Sequence, residues 1–237
     1  PGLPALPNGH YVERLADGGQ LDEVTRVETL LFGSLALTGK GHATDRAILL
    51  GLSGQRPEHI EPDAADMLVD EIRSCSEIRL NGSRPLPFDE ETDVIFDQKK
   101  RLDFHSNAMR FIAYLDDQPV ESRVYYSVGG GAVLDEDQIG SNNPESGLWD
   151  VPYRFCSGAD LLRIAADEGL SIAEIMRANE RTRQEDEAIS AGIRAIADAM
   201  SACIDRGILQ DGILPGGLRV KRRAPLIHAR LMERQGR

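Results

Sequence analysis

TGKGHATDRAILLGLSG (38–54) places a Gly-Lys-Gly-His turn directly before an apolar run at helical spacing. The preceding residues 24–35 are rich in β-branched and apolar side chains and predict a strand, whereas residues 44–52 predict a helix. The backbone N–H groups at a helix N-terminus attract anions. The stretch therefore predicts a strand–turn–helix unit whose turn binds a carboxylate or a phosphate, with Lys40 and His42 beside it.

The turn does not match a nucleotide-binding P-loop. A Walker A motif needs a glycine five positions before its Gly-Lys pair and a Ser or Thr after the lysine. Ser34 stands at the first of these positions and Gly41 at the second. Because the hydroxyl that would hold magnesium is missing, the sequence argues against an NTPase of this class.

Composition narrows the class of protein further. The chain has 237 residues, of which 41% are apolar, and a net charge of −12. This acidity argues against nucleic acid or an anionic membrane as a partner, and no apolar run approaches the roughly 20 residues of a membrane span. Cys75, Cys156 and Cys203 are far apart and form no CxxC pair. We therefore expect a cytoplasmic protein with no metal site within this chain.

The first 155 residues predict alternating helices and strands. The first eleven residues, rich in proline and glycine, predict irregular chain. Asp116 to Pro119 predicts a hairpin connection. The other elements follow from periodicity: helices over 11–18 and 63–78, and strands over 92–97, 108–117, 120–128 and within 129–137.

The pattern changes after about residue 155. Ser171 and Glu174 form a capping-box pattern, and the apolar spacing that follows predicts one long amphipathic helix ended by Gly207, with a solvated polar turn at 179–187. After a Pro-Gly linker, the basic end predicts a helix without its packing partner rather than a nucleic-acid-binding tail. The sequence thus predicts an α+β fold, with a mixed, sandwich-like α/β domain over 1–155 and a helical segment over 156–237.

Two further segments carry candidate binding groups. His105 and Asn107 lie two residues apart before an apolar strand, so both side chains could reach one pocket, although a lone histidine is more often structural. The segment 125–133 ends a strand in three glycines. It is not a Rossmann fingerprint, because Leu134 stands where a glycine is needed. A β-bulge and a close backbone approach to a ligand or a partner domain both remain open.

These segments occur together in the order of one family. From about residue 12 to 230 the chain resembles the iron–sulfur-dependent, PLP-independent L-serine dehydratases, also called L-serine ammonia-lyases. The six matching segments are FGSLALTGKGHATDRAILLGLSG (32–54), HSNAMRF (105–111), YYSVGGGAV (125–133), VPYRF (151–155), ACIDRGI (202–208) and GILPGGLRVKRRA (212–224).

The resemblance implies a division of the enzyme between two domains. The family has an α+β domain, called the β domain, and an all-helical α domain whose cysteines hold a [4Fe-4S] cluster. This chain resembles the β domain, the linker helix and the first turns of the α domain. It departs from the pattern twice: residues 1–11 replace a Ser-Ser-Ser-His-Thr loop, and none of its cysteines matches a cluster ligand. By itself this stretch is expected to hold no cluster and to be inactive.

The reaction implied is α,β-elimination of L-serine to pyruvate and ammonia, a step of amino-acid catabolism. On the resemblance, Lys40 binds the substrate carboxylate by charge, Asn107 adds hydrogen bonds, and the helix N-terminus at Thr44 assists. Either His42 or His105 is the general base, because an imidazole ordinarily titrates near neutral pH. The cluster supplies a Lewis acid from the other domain. The sequence does not distinguish the two histidines, or serine from threonine as substrate.

Two other classes of protein stay open. The β domain also resembles the allosteric substrate-binding domain of some phosphoglycerate dehydrogenases, which implies a small-anion-binding regulatory domain. A structural or dimerisation domain is the third reading. The partners expected are L-serine, the protein's own C-terminal α domain and further copies in a homo-oligomer, with no nucleic acid and no membrane.

Overall fold

A computed structural model describes residues 7–57, 59–129, 132–140, 150–214 and 219–235. These residues divide into two compact units. The first unit lies within Pro1–Ser141 and takes in Arg219, and the second lies within Asn142–Leu214 and Val220–Arg237. Among the described residues, no helix combines the length and the apolar character that a membrane span requires.

The first unit is built on a mixed sheet. Its strands are, in chain order, β1 (Arg26–Phe32), β2 (Glu77–Leu80), β3 (Arg84–Pro87), β4 (Val94–Asp97), β5 (Asn107–Leu115), β6 (Gln118–Gly129) and β7 (Ala132–Asp135). Five of them form one sheet in the order β4-β1-β5-β6-β7, in which β1 runs parallel to β4 and antiparallel to β5. β2 and β3 form a separate antiparallel pair. The α+β class predicted from the sequence is confirmed.

Most helices of the first unit lie against one face of this sheet and enclose the main core, whereas Ile139, in the last of them, packs against a smaller cluster. The helices are α1 (Pro7–Asp17), α2 (Gly33–Thr38), α3 (Thr44–Leu52), α4 (Pro62–Cys75), α5 (Glu90–Asp93) and α6 (Glu136–Gly140), with a 3-10 turn (Gly39–His42) between α2 and α3. Alternate residues of a strand share a face. Met109 and Phe111 of β5 therefore point into the same core as Tyr11 of α1 and Leu49 of α3. The smaller cluster, which includes Tyr126, lies on the opposite face.

Several predicted boundaries are wrong by a few residues. The strand predicted to reach residue 35 ends at Phe32, because Gly33 takes a left-handed φ of 54° and starts α2. The helix predicted to reach residue 78 ends at Cys75, since Ser76 has a φ of 51° and Glu77 begins β2. Each break lies where the backbone enters a conformation that ends regular structure.

Two elements begin away from their predicted starts. The helix predicted over 11–18 is present as α1, but it begins at Pro7, inside the stretch predicted as irregular. Its residues Tyr11 and Leu15 are buried in the core. The strand predicted from residue 92 begins at Val94, because the Asp89 carboxylate accepts a hydrogen bond from the Glu91 N–H and caps α5.

The hairpin between β5 and β6 is confirmed. Asp116 and Asp117 form its two-residue turn, with φ of 45° and 65°, and Leu115 pairs with Gln118 across it. Left-handed conformations at both turn positions match the twist of the flanking strands. Two other predictions fall partly outside the described residues. The parts concerned are Gly130 and Gly131 of the glycine run and residues 215–218 of the linker.

The second unit is helical, with α7 (Gly158–Glu168), α8 (Ile172–Glu180), α9 (Asp186–Leu209) and α10 (Ala224–Gln235). The capping box of Ser171 and Glu174 is present. The prediction of one long helix is wrong, because α8 and α9 are separate helices. The polar segment between them forms a turn, and the Asp186 carboxylate accepts hydrogen bonds from Arg177 and Arg181. Gly207 does not end α9, which continues to Leu209.

Candidate active site

One edge of the five-stranded sheet gathers the segments that the sequence singled out. Because β1 and β4 are parallel, their carboxyl ends meet at this edge, where Gly33 and Asp97 lie. β5 runs antiparallel to β1, so its first residue, Asn107, lies there too and forms an isolated bridge with Gly33. β6 ends there at Gly129. Ligands of open α/β sheets commonly bind at the carboxyl ends of parallel strands. We call this the carboxyl edge.

The 3-10 turn places His42 on the surface. Its Nδ1 lies 2.8 Å from the carbonyl oxygen of Thr38. Because a carbonyl oxygen only accepts, Nδ1 carries the proton in the neutral ring, and Nε2 keeps its lone pair. His42 therefore presents a proton acceptor to solvent, which is the tautomer that a general base needs.

Lys40 stands two residues earlier in the same turn. Its ammonium nitrogen lies 5.3 Å from the centre of the Phe96 ring of β4. None of the ion pairs formed among the described residues includes Lys40. The charge is thus not neutralised by a described carboxylate. Sequence reasoning missed Phe96, whose position follows from strand pairing and leaves no local signal.

The helix after the turn starts abruptly. Ala43 takes a left-handed φ of 57°, which costs an ordinary residue roughly 1–2 kcal/mol, and Thr44 begins α3 directly after it. Thr44 is buried, and no side-chain hydrogen bond caps this end of the helix. The positive end of the helix dipole therefore has no side-chain cap. The carboxylate of Asp45, in the first turn of α3, forms an ion pair with the Arg73 guanidinium at 3.1 Å.

His105 has the opposite tautomer to His42. The backbone N–H of Asn107 donates to His105 Nδ1 at 3.1 Å. Because Nδ1 accepts here, the neutral ring carries its proton on Nε2 and presents a donor. The Asn107 side-chain amide donates to the Ser127 carbonyl oxygen at 3.4 Å, and both predicted residues are half-buried.

Backbone hydrogen bonds at Gly33 connect the chain that leads to His42 with the segment that contains His105. Its N–H donates to the Lys100 carbonyl at 3.1 Å, and the N–H of Ser34 donates to the Ser106 carbonyl at 2.8 Å. A Cβ atom on Gly33 would lie 2.4 Å from the Ser106 oxygen, and the positive φ also favours glycine. Sequence reasoning missed this role, although a lone glycine inside the predicted strand was a signal for a close backbone approach.

The five predicted site residues thus form two groups. Lys40, His42 and Thr44 lie in and after the turn, whereas His105 and Asn107 lie at the start of β5. Within the described chain, no hydrogen bond joins a side chain of one group to a side chain of the other. The backbone bonds at Gly33 connect them through α2.

The described residues do not fit an iron–sulfur cluster. No group of three or more His, Cys, Asp or Glu side chains among them is placed to hold a metal ion. Cys75, Cys156 and Cys203 are each free and exposed. A [4Fe-4S] cluster takes about four ligands, mostly thiolates. We therefore assign no chemical step of this chain to a cluster.

The chain is similar in sequence to known proteins. Residues 4–138 match the family model described as "Serine dehydratase beta chain". The chain is 40% identical over 215 residues to an L-serine dehydratase of Streptomyces coelicolor, covering 90% of this chain and 47% of that protein. It is 35% identical to L-serine dehydratase 1 of Escherichia coli, covering 97% of this chain and 50% of that protein.

A third relative, an L-serine dehydratase of Haemophilus influenzae, is 34% identical over 96% of this chain and 50% of its own length. The chain therefore spans about half the length of these relatives. The matched family region contains the mixed sheet and both histidine segments. The chain belongs to the serine dehydratase beta chain family.

Proposed function

We propose that this chain is the β portion of an L-serine ammonia-lyase, which eliminates water from L-serine and yields pyruvate and ammonia. Membership of the family and the names of the relatives support the reaction class. One observation carries the assignment of residues: His42 presents an acceptor and His105 a donor, on two segments joined at the carboxyl edge.

Elimination needs both a proton acceptor and a proton donor. A base removes the α-proton, the electrons of the Cα–H bond form the Cα=Cβ bond, and the Cβ–O bond breaks. His42 Nε2 is the base in this proposal. His105 Nε2–H donates to the departing hydroxyl, which leaves as water. The aminoacrylate product then takes up water to give pyruvate and ammonia.

The remaining predicted residues bind substrate in this proposal. Lys40 attracts the carboxylate, because no described acidic side chain pairs with it. The uncapped start of α3 at Thr44 adds the favourable end of a helix dipole. The Asn107 side-chain amide has a second N–H besides the one that donates to the Ser127 carbonyl, and it supplies hydrogen bonds to the substrate. The turn is then a carboxylate site and not a nucleotide site.

The proposal also includes a cofactor, a partner domain, the domain division of this chain, its location and its oligomeric state. A [4Fe-4S] cluster is held by ligands that the described residues do not provide, in an all-helical domain that is the partner of this chain. The division into a β domain over 1–155 and a helical segment over 156–237 is part of the proposal. So are the cytoplasmic location and the homo-oligomer. With its net charge of −12, the chain is not expected to bind nucleic acid or membranes.

The proposal is tested in a full-length protein that contains this chain. His42→Ala should lower kcat for L-serine by roughly 10²–10⁴-fold and suppress exchange of the α-proton with solvent deuterium. His105→Ala should lower kcat but keep the exchange, since the base remains. Lys40→Met should act mainly by raising KM.

His10→Ala is the matched control, because His10 is exposed on α1 and belongs to none of the segments that carry the candidate site residues. It should keep wild-type kinetics. Wild-type turnover in both the His42 and His105 variants would reject the active-site assignment. A chain that binds L-serine while the histidine variants stay active would instead support the regulatory, anion-binding class.

A further inference from the structure

We infer that Phe96 is a positioning residue for Lys40: its ring holds the ammonium group at the carboxyl edge without neutralising it. The inference rests on the proposed role of Lys40 in binding the substrate carboxylate. It is carried by two separate contacts of one ring, one with the Lys40 side chain and one with the backbone beside it.

Strand pairing brings Phe96 to the turn. β4 pairs with β1 in parallel, with Phe96 opposite Leu31 and Asp97 opposite Phe32. The ring is half-buried and packs against the main core, so its position is set by the sheet and not by the turn. A side chain 56 residues away in the sequence thus forms part of the surface beneath Lys40.

The first contact is with the charge. The Lys40 nitrogen lies 5.3 Å from the ring centre, within the range of a cation–π interaction. An exposed lysine side chain otherwise samples many rotamers, and binding a substrate would have to order it. A carboxylate partner would order it too, but would cancel the charge that an anionic substrate needs. The ring orders the side chain and leaves the positive charge available.

The second contact is with the backbone. A Cβ atom on Gly39 would lie 2.9 Å from Phe96 Cε1 and 3.3 Å from Thr44 Oγ1. Glycine therefore lets the turn settle against the ring edge. Gly41, on the other side of Lys40, has no atom within 4 Å of such a Cβ and no positive φ. The two glycines that flank Lys40 thus form a matched pair with different surroundings.

The first experiment changes the ring in the full-length protein. Phe96→Leu should raise KM for L-serine by roughly two- to fivefold, the range of an exposed cation–π interaction, and leave kcat near wild type. Phe96→Tyr keeps an aromatic face and should restore the wild-type KM. In a Lys40→Met background, Phe96→Leu should have no further effect on KM, because the group that the ring positions is gone.

The second experiment changes the backbone and does not depend on how Phe96 variants fold. Gly39→Ala should raise KM, since the turn must move away from the ring, and it should raise KM more than Gly41→Ala, which leaves the contact with the ring intact. Far-ultraviolet circular dichroism of each variant checks that the fold is retained.

The outcomes separate the inference from the proposed function. If Lys40→Met leaves KM unchanged, the proposed carboxylate site is wrong. If Lys40→Met raises KM while Phe96→Leu and Gly39→Ala both keep the wild-type value, the inference is overturned and the proposed function stands. A full Phe96→Leu effect in the Lys40→Met background would also overturn it, since the ring would then act by another route.

Discussion

The two units of the chain bury their apolar side chains to different extents. In the first unit, Leu49 and Phe111 are 0% exposed, between the sheet and its covering helices. In the helical unit, Ile189 of α9 is 5% exposed, but Ile193 and Met200 on the same helix are 58% and 62% exposed. Helical periodicity therefore predicts which side chains share a face, and a second layer of structure decides whether that face is covered.

The exposed face of α9 continues into a groove of the helical unit. The groove has a volume of about 580 Å³ and lies between α8 and α9, with Met176 and Ile196 among its apolar lining residues. It contains none of the five candidate site residues. The first unit has a packed core of its own, and the helical unit leaves much of its apolar surface open.

The largest expected effect tests this contrast with two leucines that both lie in helices. Leu49→Ala in α3 should lower the free energy of unfolding by roughly 2–5 kcal/mol, because it empties a fully buried site. Leu162→Ala in α7, where the side chain is 64% exposed, should change it by less than about 0.5 kcal/mol. Urea unfolding followed by circular dichroism measures both. Equal losses of unfolding free energy in the two variants would show that the Leu162 side chain is covered in solution. Unfolding at several protein concentrations would then show whether self-association covers it.

A smaller effect is expected in the helical unit alone. Ser171→Ala should destabilise α8 by about 1 kcal/mol, because the serine hydroxyl accepts the Glu174 N–H and the Glu174 carboxylate accepts the Ser171 N–H at 2.7 Å. Hydrogen exchange of the α8 amides should quicken, with β5 unchanged. Ser201→Ala is the control, since that hydroxyl only bonds the Ala197 carbonyl within α9. Faster exchange in β5 would show that the units unfold together.

A third effect concerns the first unit and is confined to alkaline pH. Burial, with the Asp135 charge second, raises the pKa of Tyr125 from 10.0 to about 12, and burial also raises the pKa of Tyr11. A raised pKa means that the folded state holds the proton more tightly. This contribution to stability is therefore complete below about pH 10 and is lost as the pH rises towards about 12.

Unfolding midpoints measured across this range should fall less steeply in Tyr125→Phe, which has no phenol to ionise. The α8 and α9 amides should not follow this pH dependence, because both tyrosines lie in the first unit. An identical slope in Tyr125→Phe would show that Tyr125 does not carry the effect.

Sequence patterns located elements better than their ends. The apolar spacing of α3 and the Asp116–Asp117 turn lie within short windows, so both were predictable. The break between α8 and α9 depends on where the Asp186 carboxylate meets two arginines, and the end of β1 depends on Gly33 fitting against Ser106. The first contact joins polar residues five and nine positions apart, which apolar periodicity does not register, and the second joins residues 73 positions apart.

The candidate site shows the same limit. The Gly-Lys-Gly-His motif is local and pointed to Lys40 and His42 directly. The tautomers of His42 and His105 depend on which backbone group each ring meets, and the ring of Phe96 reaches Lys40 only through parallel pairing. The residue types could be read from the chain, whereas their chemical states required the fold.

The lengths of the strands have a consequence for how the protein behaves at high concentration. The outer strands β4 and β7 are four residues long, whereas β5 and β6 inside the sheet have nine and twelve residues. An outer strand presents unpaired backbone groups that can recruit a strand from another molecule and seed aggregation. A strand recruited by β4 or by β7 would gain few hydrogen bonds, so neither outer strand is a long template for fibril growth.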